Sequence, residues 1–141
     1  MKISLEHISK RFQKHWIFKD ISYSFAMPHA YALLGPNGCG KSTLLRIIAG
    51  MQAPSLGKTF YMDDAGNSIA KEKVFAHISY SAPGMELVEE LNLREYLEFH
   101  FSFKRPLQGL TIDKIIELTG LKDIADKPIS DYSSGMKQRV K

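Results

Sequence analysis

The sequence predicts an α/β fold in which a core sheet carries a phosphate-binding loop and a helical subdomain follows from about residue 85 to about residue 130. Three observations lead there. Gly35-Pro36-Asn37-Gly38-Cys39-Gly40-Lys41-Ser42-Thr43 completes the pattern G-x-x-x-x-G-K-[ST] through Gly35, Gly40, Lys41 and Ser42. An apolar run precedes this loop and a segment of helical spacing follows it, which is the strand–loop–helix context the motif needs. Beyond about residue 85, period-two patterning gives way to helix caps and helical spacing.

The elements follow in order. Ile3 and Leu5, and later Ile21, Tyr23 and Phe25, recur with period two, so the first thirty or so residues read as strands. Between them Lys10-Arg11-Phe12-Gln13-Lys14-His15 is polar apart from one aromatic. Residues 30–34, Ala-Tyr-Ala-Leu-Leu, read as a short buried strand entering the loop. Leu44, Leu45, Ile47 and Ile48 give the next helix a broad apolar face, with Gly50 as its stop. Residues 57–62 read as a strand and 63–67, Asp-Asp-Ala-Gly-Asn, as a turn. Residues 74–80 read as another strand, broken by Ser81-Ala82-Pro83-Gly84.

Asn92-Leu93-Arg94-Glu95 places an acid three residues after a good N-cap, a capping box, and predicts a helix to about Phe103. Residues 112–118 form a second helical run stopped near Gly120, and residues 122–126 a third, short one. The divisions so drawn are 1–84 for the loop-bearing core, 85–132 for the helical subdomain and 133–141 for a last segment, with a hinge near Pro83.

Each residue type in the loop has a physical task. Glycines let backbone N–H groups turn inward onto phosphate oxygens. Lys41 reaches the outer phosphates as a point charge, and the Ser42 hydroxyl sits on a bound magnesium ion. The helix N-terminus adds its partial positive charge. A nucleoside triphosphate with Mg2+ is the ligand these residues imply, with Gly35, Asn37, Gly38, Cys39, Gly40, Lys41, Ser42 and Thr43 around it. Cys39 reads as small packing rather than a nucleophile.

Composition bounds the remaining classes. Hydrophobic content of 44% and charged content of 24% are ordinary for a soluble globular protein. No apolar run approaches the roughly 20 residues that span a bilayer, and the N-terminus lacks the apolar stretch of a signal peptide. With Cys39 the only cysteine, no internal disulfide forms, and a reducing, cytoplasmic location is expected. The net charge of +4 is spread over scattered basic residues, so a solvated surface is expected and no nucleic-acid partner. The five histidines show no metal spacing.

Tyr132-Ser133-Ser134-Gly135-Met136-Lys137-Gln138-Arg139 resembles the signature sequence of ATP-binding-cassette (ABC) ATPases, L-S-G-G-Q followed by Gln-Arg. Ser133 and Gly135 match the serine and second glycine, whereas Ser134, Met136 and Tyr132 replace the first glycine, the glutamine and the leucine. The segment stands roughly ninety residues after the loop, across a helical region. The Pro-Asn of the loop and Glu90-Leu91-Asn92-Leu93-Arg94-Glu95 are similar to the family's pattern too, so the likeness runs from Met1 to Lys141. It implies a P-loop NTPase core with an antiparallel β subdomain and a helical subdomain. Phe12 resembles the aromatic that stacks on adenine, with a surface aromatic or core filler as its plain alternative.

Ser133, Ser134 and Gly135 open a helix whose free N–H groups and serine hydroxyl suit a phosphate oxygen. In the family this segment closes over ATP held by the other protomer of a head-to-tail dimer. The resemblance further implies the ATP-hydrolysing subunit of a transporter, peripheral on the cytoplasmic face of the membrane and contacting the membrane subunits through residues 85–97. A soluble ABC protein working on ribosomes or DNA, and a non-catalytic nucleotide-binding module, are the alternatives.

Two departures qualify this. Pro83 stands where the family has a glutamine that senses magnesium and the attacking water. The family's Asp-Glu strand end and its later histidine have no counterpart up to Lys141, so no catalytic residue is assigned. The expectation is therefore an N-terminal part of a longer ATPase, with weak or absent nucleotide binding and negligible hydrolysis by itself.

Overall fold

A computed structural model describes residues 1–82, 84–104 and 106–141, which fall into two compact units, Met1–Ser79 and Tyr80–Lys141. Pro83 lies outside the described residues.

In the first unit, β1 (Lys2–Phe12) and β2 (His15–Ala26) form an antiparallel hairpin closed by Gln13 and Lys14. β3 (Leu56–Met62) pairs antiparallel with the other edge of β1, giving the order β2-β1-β3. Leu5 and Ile8 are three residues apart, a spacing that puts side chains on opposite faces of a regular strand. Both are nonetheless buried in one cluster. A β-bulge is responsible: three steps along β1 from Leu5 to Ile8 match two along β2, from Tyr23 to Ile21.

At the bulge His7 takes a φ of 52° and its N–H donates to Ser22 Oγ at 3.0 Å. Gly57 of β3 crosses here with a φ of 87°, where a Cβ would lie 2.4 Å from the carbonyl oxygens of Glu6 and His7. Only glycine allows that approach.

α1 (Lys41–Ile48) lays Leu44 and Ile47 on Leu5 and Ile8, with Phe18, Ile21, Phe25, Leu33 and Ile48 around them. Each such side chain, removed from water, contributes about 1.5–3 kcal/mol. Tyr61 of β3 joins the sheet to this helix by donating its hydroxyl to the Ile47 carbonyl at 3.2 Å.

The helical unit gathers Leu87, Leu93, Leu97, Ile116, Leu121, Ala125, Ile129 and Tyr132 into one cluster. α2 (Leu93–Phe103) opens on the capping box: Glu95 N–H donates to Asn92 Oδ1 at 3.0 Å, and Asn92 N–H donates to Glu95 Oε2 at 2.9 Å. α3 (Ile112–Thr119) is capped by Thr111 and ends on Gly120 in the left-handed conformation. Arg94 of α2 pairs with Asp113 of α3 at 2.6 Å. Turns of 3-10 helix cover Lys122–Ile124 and Ile129–Asp131 before α4 (Ser134–Val140).

Two expected strands are absent, each for a physical reason. Residues 30–34 pair with no strand, and Leu34 is 91% exposed. A buried strand needs neighbours for its N–H and C=O groups, and among the described residues none pairs with this run. Tyr31 instead donates its hydroxyl to the Ala26 carbonyl and sets its ring against Phe25. Residues 74–80 also form no strand; a 3-10 helix spans Lys71–Ala76. The His77 and Ile78 N–H groups close on the Val74 carbonyl at 2.9 and 3.1 Å, satisfying locally what a ladder would have satisfied. The turn plants Val74 beside Gly50, while Phe75 stays 60% exposed.

Candidate functional site

The glycine loop reaches α1 through backbone that only glycine adopts readily. Gly35, Gly38 and Gly40 have φ values of 151°, 82° and 99°. Gly40, the N-cap of α1, is pressed against β2: a Cβ there would lie 2.5 Å from an Ile17 methyl and 3.0 Å from the Phe18 ring. The loop is therefore held down by packing as well as by its turn. Cys39 is exposed, and a Cβ on Gly35 would lie 2.9 Å from its Sγ, so the thiol packs on that glycine.

The loop also leaves donors open. No side chain caps α1, and its first-turn N–H groups, on Lys41, Ser42 and Thr43, have no carbonyl one helical turn earlier. The Ser42 side chain is exposed, and no hydrogen bond joins it to another side chain among the described residues. Lys41 Nζ folds back over the loop and donates to the Gly35 and Pro36 carbonyls, each at 2.8 Å. A cation, three uncapped N–H groups and an exposed hydroxyl thus lie within nine consecutive residues, and Asn37 is exposed beside them. This donor set fits a polyphosphate, and Ser42 Oγ fits a hard cation bridging it.

Phe12 ends β1 at the hairpin tip, 49% exposed and in neither buried cluster. Lys10 Nζ lies over its ring, 5.2 Å from the centroid. Sequence reading singled out Phe12 and passed over Lys10. The available signal was their separation of two, which puts both side chains on one face of a strand.

In the helical unit, Ser133, Ser134 and Gly135 are exposed at the start of α4. Ser133 is its N-cap, and its Oγ accepts from the Met136 N–H at 3.3 Å. The hydroxyl hydrogen remains to donate, so capping and phosphate recognition are compatible in one side chain. Tyr132, which replaces the signature leucine, serves the core: it is buried and donates its hydroxyl to the Ile124 carbonyl at 2.9 Å. Burial, aided by Asp126, pushes that phenol above its ordinary pKa. Lys137 anchors α4 to Glu89 at 2.6 Å, and Arg139 donates to the Thr119 carbonyl at 3.1 Å.

Comparison with known proteins shows the family. The family model described as "ABC transporter" matches residues 18–141. An ABC transporter ATP-binding protein of Bacillus subtilis, YhcH, is 32% identical over 98% of this chain and 45% of its own length. The cytochrome c biogenesis ATP-binding export protein of Rhizobium meliloti is 32% identical over 99% of this chain and 68% of its own length. The polysialic acid transport ATP-binding protein of Escherichia coli is 33% identical over 98% of this chain and 60% of its own.

Among solved structures, an ATP-binding subunit of an ABC transporter superposes with a TM-score of 0.79 at 23% identity, covering 99% of this chain and 59% of that one. A dimeric ATP-binding cassette with ADP and Pi superposes at 0.72 with 18% identity, covering 98% and 66%. Those two likenesses establish the fold. The chain spans about half the length of the Bacillus relative, at 45%.

Proposed function

The chain belongs to the ABC transporter family, and from that premise we propose that it is the nucleotide-binding portion of a transporter's ATP-hydrolysing subunit. The observation that carries this is the loop of residues 35–43, where Lys41 folds back over the loop and the first turn of α1 has no side-chain cap. Gly35, Asn37, Gly38, Cys39, Gly40, Lys41, Ser42 and Thr43 hold the phosphates, and Phe12 carries the adenine. Lys41 then exchanges its two carbonyl acceptors for phosphate oxygens. Magnesium, when bound, neutralises charge on the phosphates, and Ser42 Oγ is the ligand this chain offers it.

Ser133, Ser134 and Gly135 act in a second site, against nucleotide on the partner of a head-to-tail dimer. A solved relative described as dimeric, with ADP and Pi, supports that reading. Residues 85–97 meet the membrane subunits, with the protein peripheral on the cytoplasmic face. No residue of this chain is assigned to the attack of water. The relatives' names include both import of sulfate and export in cytochrome c biogenesis, so substrate and direction stay with the membrane subunits.

The test is ATP binding by wild type and Lys41→Ala, followed calorimetrically with magnesium present. Losing one charge-assisted contact predicts an affinity lower by about ten- to a hundredfold. Equal, measurable affinity in the two proteins would sink the reading.

A further inference from the structure

A nucleotide bound at both ends needs its base contact and its phosphate contact held at one separation, or the affinity of the first end is spent ordering the second. In this fold one short stretch links the two. α1 leaves the phosphate loop at Lys41, and after it Met51 and Gln52 N–H groups turn back onto the Arg46 carbonyl at 2.9 and 3.2 Å. The chain then reaches residues 53–55, which are bonded to β1 just before Phe12. Ser55 N–H donates to the Ser9 carbonyl at 2.8 Å, and Arg11 N–H donates to Ser55 Oγ at 3.1 Å. Lys10 Nζ donates to the Ala53 carbonyl at 2.8 Å.

That last bond matters most, because the same ammonium lies 5.2 Å from the centroid of the Phe12 ring. Phe12 has no place in either buried cluster and is 49% exposed, so packing does not fix its rotamer. Among the described residues no carboxylate pairs with Lys10, which leaves its charge to the ring and the carbonyl. The ring is located by Lys10, Lys10 by Ala53, and Ala53 by the end of the helix that starts in the phosphate loop.

We propose that Lys10 is a positioning residue that holds Phe12 as a fixed base platform at the spacing set by residues 53–55. This rests on the reading of Phe12 and of residues 35–43 proposed above. One face of the ring takes the ammonium, and the other is left for the base. A cation so placed contributes through the ring quadrupole, modestly at an exposed site. Its larger effect is to restrict the ring before the nucleotide arrives.

The experiment compares ATP with inorganic tripolyphosphate, each with magnesium, on the intact protein. The ratio of the two affinities isolates what the base adds. Lys10→Met is expected to lower that ratio about two- to fivefold while leaving tripolyphosphate affinity unchanged. Lys10→Arg, which keeps a cation over the ring, is expected to restore most of it. Retained tripolyphosphate binding also shows that the variant folds. A ratio unchanged in Lys10→Met, or an equal fall for both ligands, overturns the inference. Phe12→Ala separates the failures: if it leaves the ratio unchanged, the base platform itself is misplaced. Equal tripolyphosphate affinity in wild type and Lys41→Ala would instead remove the phosphate-loop reading.

Discussion

The two units bury their apolar residues on different scales. In the helical unit Leu93 and Ile129 are wholly covered, and eight buried side chains form one cluster drawn from α2, α3, the turns between α3 and α4, and Leu87 ahead of α2. In the sheet unit Leu5, Ile8, Leu44 and Ile47 form a smaller cluster; Leu34, Phe75, Met27, Leu56 and Tyr23 stand more than half exposed there, as Phe99, Phe103, Leu107 and Leu118 do in the helical unit. The difference follows from the type of element. A helix satisfies its own backbone and needs one apolar stripe covered, and its neighbours along the chain supply that cover. A sheet has two faces, and α1 covers part of one. The helical unit thus holds the larger continuous core, and both units present apolar side chains at the surface.

The strongest way to break this comparison is Leu93→Ala. Deleting so well-packed a side chain is expected to destabilise the helical unit by about 2–5 kcal/mol. Hydrogen exchange should show faster opening of α2 and α3 amides while β1 and β2 keep their protection. Equal loss in both units would mean they share one cooperative core. Asn92→Ala asks a smaller question, whether the helical unit leans on its local caps. Removing the capping box should cost about 1 kcal/mol, read as a lower denaturant midpoint with an unchanged slope.

Tyr61→Phe probes the sheet unit, where β3 is joined to α1 by one hydroxyl, and the expected cost is about 1 kcal/mol or less. It also has a pH signature. Burial raises the Tyr61 pKa, so the folded state favours the neutral phenol. That contribution is whole below the ordinary tyrosine value, about 10, and is lost as pH climbs through the raised one. The substitution should flatten this alkaline fall; an identical pH profile in both proteins would assign the fall to other groups.

Legibility in the sequence followed the same division. Asn92 and Glu95 sit three residues apart, so their reciprocal bonds were visible as a pattern, and Gly120 closed α3 as expected. The phosphate loop was visible because all its chemistry lies within nine consecutive residues. Residues 74–80 misled because Val74, Ala76 and Ile78 alternate as a strand would, while Val74 is held instead by a local turn against Gly50. Residues 30–34 misled because an apolar run says nothing about whether a partner strand lies beside it. Lys10 went unremarked because its carbonyl partner, Ala53, is 43 residues away.

The bulge at His7 has a consequence for how the chain tolerates changes of length. Between Leu5 and Ile8, β1 carries one residue more than either flanking strand: Glu6 and Ser9 face Lys58 and Leu56 on β3, and the same surplus appears against β2. Removing one residue there would restore an even ladder and leave Leu5 and Ile8 on the same side. The crowding that demands glycine at position 57 would go with it. The supernumerary residue and Gly57 therefore form a linked pair, to be inherited or discarded together. Related chains one residue shorter at this point should show ordinary side chains where this one keeps a glycine.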